Sequence, residues 1–101
     1  MTKSPKAPDH LSPEMRKFWA EIITQYELEA ESLLTLRAAC ENFDLAQAAR
    51  VLVAKEGLVL DKRRHPAIDV QKQAYGLFLR SVRALGLDVI APGAVGRPVG
   101  S

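Results

Sequence analysis

Ser32-Leu33-Leu34-Thr35-Leu36-Arg37-Ala38-Ala39-Cys40-Glu41-Asn42-Phe43-Asp44-Leu45-Ala46-Gln47-Ala48-Ala49-Arg50-Val51-Leu52-Val53-Ala54-Lys55-Glu56 contains neither proline nor glycine, and Gly57 follows it. A run this long and this rich in Ala and Leu exceeds any ordinary strand and suits a helix of about seven turns. Gly57 stands where a left-handed C-terminal cap is expected. The apolar residues of the run do not share one stripe: Leu33, Leu36, Cys40 and Phe43 follow one face, while Leu34, Ala38, Leu45, Ala48, Ala49 and Leu52 occupy a neighbouring one. A helix apolar on two sides is central in its fold, or is covered once by its own chain and again by another subunit.

Upstream, Ser12-Pro13-Glu14 reads as a helix start, with a capping hydroxyl, a proline suited to the first helical position and a carboxylate at the positive end of the dipole. Met15, Phe18, Trp19, Ile22, Ile23 and Tyr26 then recur at helical spacing as a single apolar stripe, which predicts that this helix docks on the long one as a packed hairpin. Glu27 to Glu31 forms an acidic connector, with Glu31 in reach of the second helix's first turn. Residues 1–10 show no apolar periodicity and are expected to be a flexible basic arm.

Downstream, Leu58-Val59-Leu60 followed by Asp61-Lys62-Arg63-Arg64 predicts at most a short β-ribbon ending in a basic turn. His65-Pro66 opens a third helix, whose core face is predicted to be Ile68, Tyr75, Phe78, Val82 and Leu85, with Gly86 closing it. Residues 89–101 form a Gly/Pro-rich tail expected to be flexible. The expected architecture is all-α: a three-helix core over residues 11–88 with an antiparallel helical hairpin, a short extended segment before the third helix, and disordered termini.

The 101 residues allow one domain and exclude Rossmann, TIM-barrel and kinase architectures. Apolar residues at 48% and charged residues at 26% describe an ordinary globular chain. A single cysteine, Cys40, excludes an internal disulfide and a cysteine-based zinc site. No apolar run approaches the roughly 18 to 20 residues needed to span a bilayer, and no signal peptide is visible, so no membrane partner and a cytoplasmic location are expected. The net charge of +2 is uneven: residues 1–20 carry +2, residues 21–56 carry −4, residues 57–88 carry +3 and the remainder +1.

Catalytic chemistry is poorly represented. His10 and His65 adjoin loops and share no ligand or triad spacing with other residues. The glycines between Gly93 and Gly100 lack the lysine and hydroxyl ending of a phosphate loop. Glu27, Glu29 and Glu31 read as a solvated surface, Cys40 as a small core residue, and Phe18 and Trp19 as packing residues. No enzyme, cofactor or metal is expected. Lys62-Arg63-Arg64 is the best anion contact, since it is compact, sits at a turn and precedes a helix N-terminus. A solubilising turn is the other reading of the same three residues. Arg80 and Arg83, one turn apart, extend that patch or form ion pairs between subunits.

The order of these signals carries a resemblance. Leu11-Ser12-Pro13-Glu14 with Phe18-Trp19, the long helix ending Lys55-Glu56-Gly57-Leu58, then His65-Pro66-Ala67, Leu85-Gly86-Leu87, Pro92-Gly93-Ala94 and Gly96-Arg97-Pro98 together resemble the short, three-helix-type phage terminase small subunits, from Leu11 to Pro98. The resemblance implies a non-enzymatic component of DNA packaging that assembles into a ring, engages double-stranded DNA, and recruits and regulates the terminase large subunit. The chain departs from many relatives in lacking a separate N-terminal helix-turn-helix domain and in its short segment between Gly57 and His65; the first departure implies low sequence specificity. That fits a gene-transfer-agent or prophage version acting in a bacterial host cell.

On this reading the candidate DNA contacts are Lys62, Arg63, Arg64, Arg80 and Arg83, with Lys3 and Lys6 of the arm. The candidate oligomer interface is Leu34, Ala38, Leu45, Ala49 and Leu52, and the tail after Leu87 is expected to dock on the large subunit. The rival readings are a small helical DNA-binding regulator, for which Asp69, Gln71 and Lys72 would open a thin recognition helix, and a structural helical adaptor with no DNA contact.

Overall fold

Ser12 starts the first helix as its sequence context predicts. In the computed structural model, which describes residues 5–86, helix α1 spans Pro13–Gln25, and the Ser12 hydroxyl accepts the Met15 N–H at 3.1 Å. The same serine is held from outside its helix: its N–H and its hydroxyl donate to the two carboxylate oxygens of Asp44, at 2.8 and 2.6 Å. One carboxylate thus fixes where α1 begins against the middle of the second helix, α2.

Helix α2 spans Ala30–Glu56 and begins at Glu29, whose side chain makes no capping bond. Its other end departs from the expected left-handed cap. Gly57 donates to the Val53 carbonyl at 2.7 Å, yet has φ 92° and ψ 165°, an extended mirror-image conformation open essentially to glycine alone. The chain therefore leaves the helix directly into strand geometry. Strands β1 (Val59–Leu60) and β2 (Arg63–Arg64) pair antiparallel, with Val59 opposite Arg64 and Leu60 opposite Arg63. The two-residue turn between them, Asp61-Lys62, has φ 54° and 64°. Positive φ at both positions is the turn geometry that follows the twist of a β-hairpin.

Helix α3 spans Pro66–Ala84. Pairing of Ala49 and Val53 with Ala67 at one end, and of Leu36, Ala39 and Cys40 with Phe78 and Val82 at the other, makes α2 and α3 antiparallel. The expected hairpin of the first two helices is therefore corrected: α2 and α3 form the closely packed pair, and α1 lies across the N-terminal half of α2 and the C-terminal half of α3. The reason is side-chain size. Ala39, Ala46, Ala49, Ala67 and Ala74 are all buried and let these two backbones approach, whereas α1 meets them through Met15, Trp19 and Ile22. The α1 stripe is otherwise as read, with these three buried and Phe18, Ile23 and Tyr26 packed at its margins.

At the centre, Phe78 meets the rings of Phe43 at 5.1 Å and Phe18 at 6.2 Å, both edge to face, so each helix supplies one ring. Tyr75, expected in the core, is instead 43% exposed and lies beside Phe78. The small Ala67 and Ala74 take the buried positions of α3. Residues 5–10, expected as part of a flexible basic arm, touch the body at three points. The Trp19 indole N–H donates to the Pro5 carbonyl at 3.1 Å, Ala7 packs on the core, and the His10 Nε2 lies 2.7 Å from Glu41 Oε2.

Candidate nucleic-acid interface

The face of α3 turned away from the core is built by helical recurrence. Asp69, the adjacent pair Lys72 and Gln73, Gly76, Arg80 and Arg83 recur at steps of three and four residues, and all but the half-buried Gly76 are exposed. The buried residues Ala67, Ala74, Phe78 and Val82 occupy the opposite side. The one carboxylate of this stripe, Asp69, receives Arg64 at 3.2 Å. Lys72, Arg80 and Arg83 therefore face solvent without an ion-pair partner among the described residues. The stripe is a line of cations on a convex rod.

The basic ribbon adjoins the start of this helix. Lys62, Arg63 and Arg64 are all exposed, and Lys62 sits at the tip of the turn. Arg80 lies about 21 Å further along the α3 axis and Arg83 about 25 Å, at 1.5 Å per residue counted from Pro66. Arg80 and Arg83, expected to extend the basic turn or to form ion pairs between subunits, thus stand well apart from it, and Lys72 lies between the two groups. Sequence reasoning weighed Lys72 only as part of a recognition helix. Counting back from Arg80 in steps of four residues would have placed it and Gly76 on the same face. Of the arm lysines, Lys6 is exposed, while Lys3 lies outside the described residues, as does the tail of residues 89–101.

One side chain organises the junction of ribbon and helix. His65 is 3% exposed, and its Nδ1 accepts the Ala67 N–H at 3.0 Å, capping α3. Because Nδ1 accepts, the ring proton resides on Nε2, which donates to Glu56 Oε1 at 2.7 Å. The backbone N–H of His65 donates to the Leu58 carbonyl at 2.9 Å, closing the ribbon. His65 therefore ties the end of α2, the base of the ribbon and the start of α3. It holds the basic turn at a fixed angle to the cationic helix face. The His-Pro pair signalled a helix start; the buried partner at Glu56 had no local signal.

The second apolar face of α2 remains uncovered over much of its length. Leu34 is 67% exposed, Leu45 49% and Leu52 40%, and Ala38 and Ala48 lie on the same side. Ala49, assigned with them from the sequence, is instead buried at 6% against Val53 and Ala67. That is a correction to the candidate interface, and its cause is that Ala49 lies at the border of the two faces, where α3 covers it. Val51, 62% exposed, flanks the stripe.

Among the described residues no group of three or more His, Cys, Asp or Glu could hold a metal ion, and no helix is long and apolar enough to cross a membrane. Comparison with protein-family models, with curated proteins and with solved structures finds no match for this chain.

Proposed function

We propose that this chain is a self-associating, DNA-engaging subunit of the terminase small-subunit kind, which gathers double-stranded DNA of low sequence specificity for a packaging ATPase supplied by the large subunit. The observation that carries the proposal is the outward face of α3, where Lys72, Arg80 and Arg83, without an ion-pair partner among the described residues, continue from the basic turn of the ribbon. Lysine and arginine in a line, without a set of amide side chains aimed at base edges, suit contact with the phosphate backbone. The exposed Leu34, Ala38, Leu45 and Leu52 supply a surface for assembly, and several weak DNA contacts per assembly then act together.

The test is charge reversal read against salt. The unaltered chain should retard duplexes of unrelated sequence equally, with retention falling steeply between low and physiological salt. Replacing Lys62, Arg63 and Arg64 by Glu, or Arg80 and Arg83 by Glu, should abolish retention while leaving solution mass unchanged. Retention of one palindromic sequence alone would favour the regulator. A stable hetero-complex without DNA retention would favour the adaptor, for which the uncovered α2 face is the supporting observation.

A further inference from the structure

Midway along the cationic face of α3 lies a shallow open depression of about 370 Å³, lined by Lys72, Gln73, Gly76, Leu77 and Arg80. Its floor is Gly76, and nothing in the chain's own packing requires a glycine there. A Cβ built at that position meets a single atom within 4 Å, the Arg80 Nη1 at 4.0 Å, which is ordinary contact. Glycine is otherwise unfavourable in a helix interior relative to alanine, because it gives up more backbone freedom on folding. The missing methyl group thus leaves space that the described residues do not fill.

The walls state what fits that space. Lys72 offers an ammonium, Gln73 an amide N–H₂ and Arg80 a planar guanidinium, and among the described residues the lining contains no carboxylate and no aromatic ring. Donors without an opposing acid suit an anion with several oxygens, and the absence of a ring disfavours a stacked base. A second depression of similar size, where α1, α2 and α3 meet, differs in character: it is lined by the rings of Phe18, Phe43 and Tyr75, with Glu14 and Glu21 beside Lys17.

We propose that the depression over Gly76 seats one phosphodiester group of a nucleic-acid backbone, held by Lys72, Gln73 and Arg80, with the glycine permitting the closest approach of backbone to helix. The proposal rests on the DNA-engaging reading above and adds to it a position, a geometry and a residue without charge. It separates Gly76 from the cations around it, because adding a methyl group there leaves every charge in place.

Binding of a mixed-sequence duplex by fluorescence anisotropy, over a series of salt concentrations, tests it with the full chain. Gly76→Ala should raise the melting temperature by a few degrees and yet weaken binding about tenfold, the loss of one charge-assisted hydrogen bond. Arg80→Ala should weaken binding and lower the dependence of log K on log salt by about one contact. Lys17→Ala, on α1, should change neither. Binding by Gly76→Ala equal to that of the unaltered chain overturns the phosphate seat and leaves the DNA reading standing. Weakened binding accompanied by a changed solution mass also overturns it, since the depression would then be a contact between copies. No binding by the unaltered chain, even at low salt, overturns both.

Discussion

Lys62 holds a backbone conformation that glycine adopts at no steric cost, at φ 64° in a turn whose other residue, Asp61, is at φ 54°. Left-handed geometry costs an L-residue about 1 kcal/mol, of which glycine would return part after its own entropy is counted. Lys62→Gly should therefore stabilise the fold by about 0.5 kcal/mol, read by chemical denaturation, while weakening DNA retention. That opposition distinguishes a lysine kept for contact from one kept for solubility. His65 belongs to the same scale. His65→Ala removes a cap and a buried hydrogen bond and should cost about 2 to 3 kcal/mol, whereas His65→Asn, which can still cap, should recover about 1 kcal/mol of that. Cys40 gives a chemical readout. Burial, reinforced by the carboxylates of Asp44 and Glu41, pushes its thiol up to about 12. Iodoacetamide at pH 8 should leave the folded chain unmodified and label it in urea, as mass spectrometry would show. The sign for stability follows from a raised folded value: this contribution is complete below pH 9, the thiol's ordinary value, and is lost as pH climbs towards about 12.

Helix α2 is about 40 Å long and α1 about 20 Å, so α1 can cover only half of its neighbour. Val51 stands exposed beyond it, and Leu34, Leu45 and Leu52 lie on the α2 face that neither α1 nor α3 covers. Leu34→Glu with Leu45→Glu and Leu52→Glu should lower the mass measured by light scattering and leave the melting temperature nearly unchanged, because each side chain already faces water in the single chain. A fall in melting temperature without a change of mass would refute this assembly surface. The helices themselves were legible because their ends are chemically marked, by Ser12-Pro13, His65-Pro66 and Gly57. Which two helices pair most closely was not legible. That choice depends on Ala39, Ala46, Ala67 and Ala74 all being buried, and alanine is at home on either side of a helix. The site divides in the same way. The cations Arg63, Arg64, Arg80 and Arg83 could be named from residue type, but their separation along α3 and the place of Lys72 between them required the helix to be drawn. Ala49 was misassigned because one helical step separates the covered face from the open one.

Across the molecule, charge is sorted by element: α2 and its leading connector carry the acidic excess, and the ribbon with α3 carries the basic one. Within the acidic part, Glu41 accepts from the Arg37 Nε at 3.1 Å and meets His10 at 2.7 Å, and the guanidinium bond chiefly holds its carboxyl below the usual 4.5. A lowered folded value means stability that is present above about pH 4.5 and is lost as pH falls below it. Glu41→Gln should flatten that acidic limb of the stability profile, by an amount reduced because the group is well exposed to solvent. The apolar interior is divided as well. One cluster joins Leu11, Trp19 and Leu36 to Val82, and a smaller one joins Ala49, Val53 and Ala67 near the ribbon. The smaller is closed at its outer end by His65, which also holds Glu56 and Leu58. The far end of the α2–α3 pair can consequently loosen as one unit while the three-ring centre stays intact. Native-state hydrogen exchange should find the amides from Gly57 to Ile68 opening together, at a free energy below that of global unfolding. A surface that meets DNA would then sit on a part that opens as one unit, so the ribbon and the start of α3 would dock together, at the angle His65 sets, without unfolding the body that carries them.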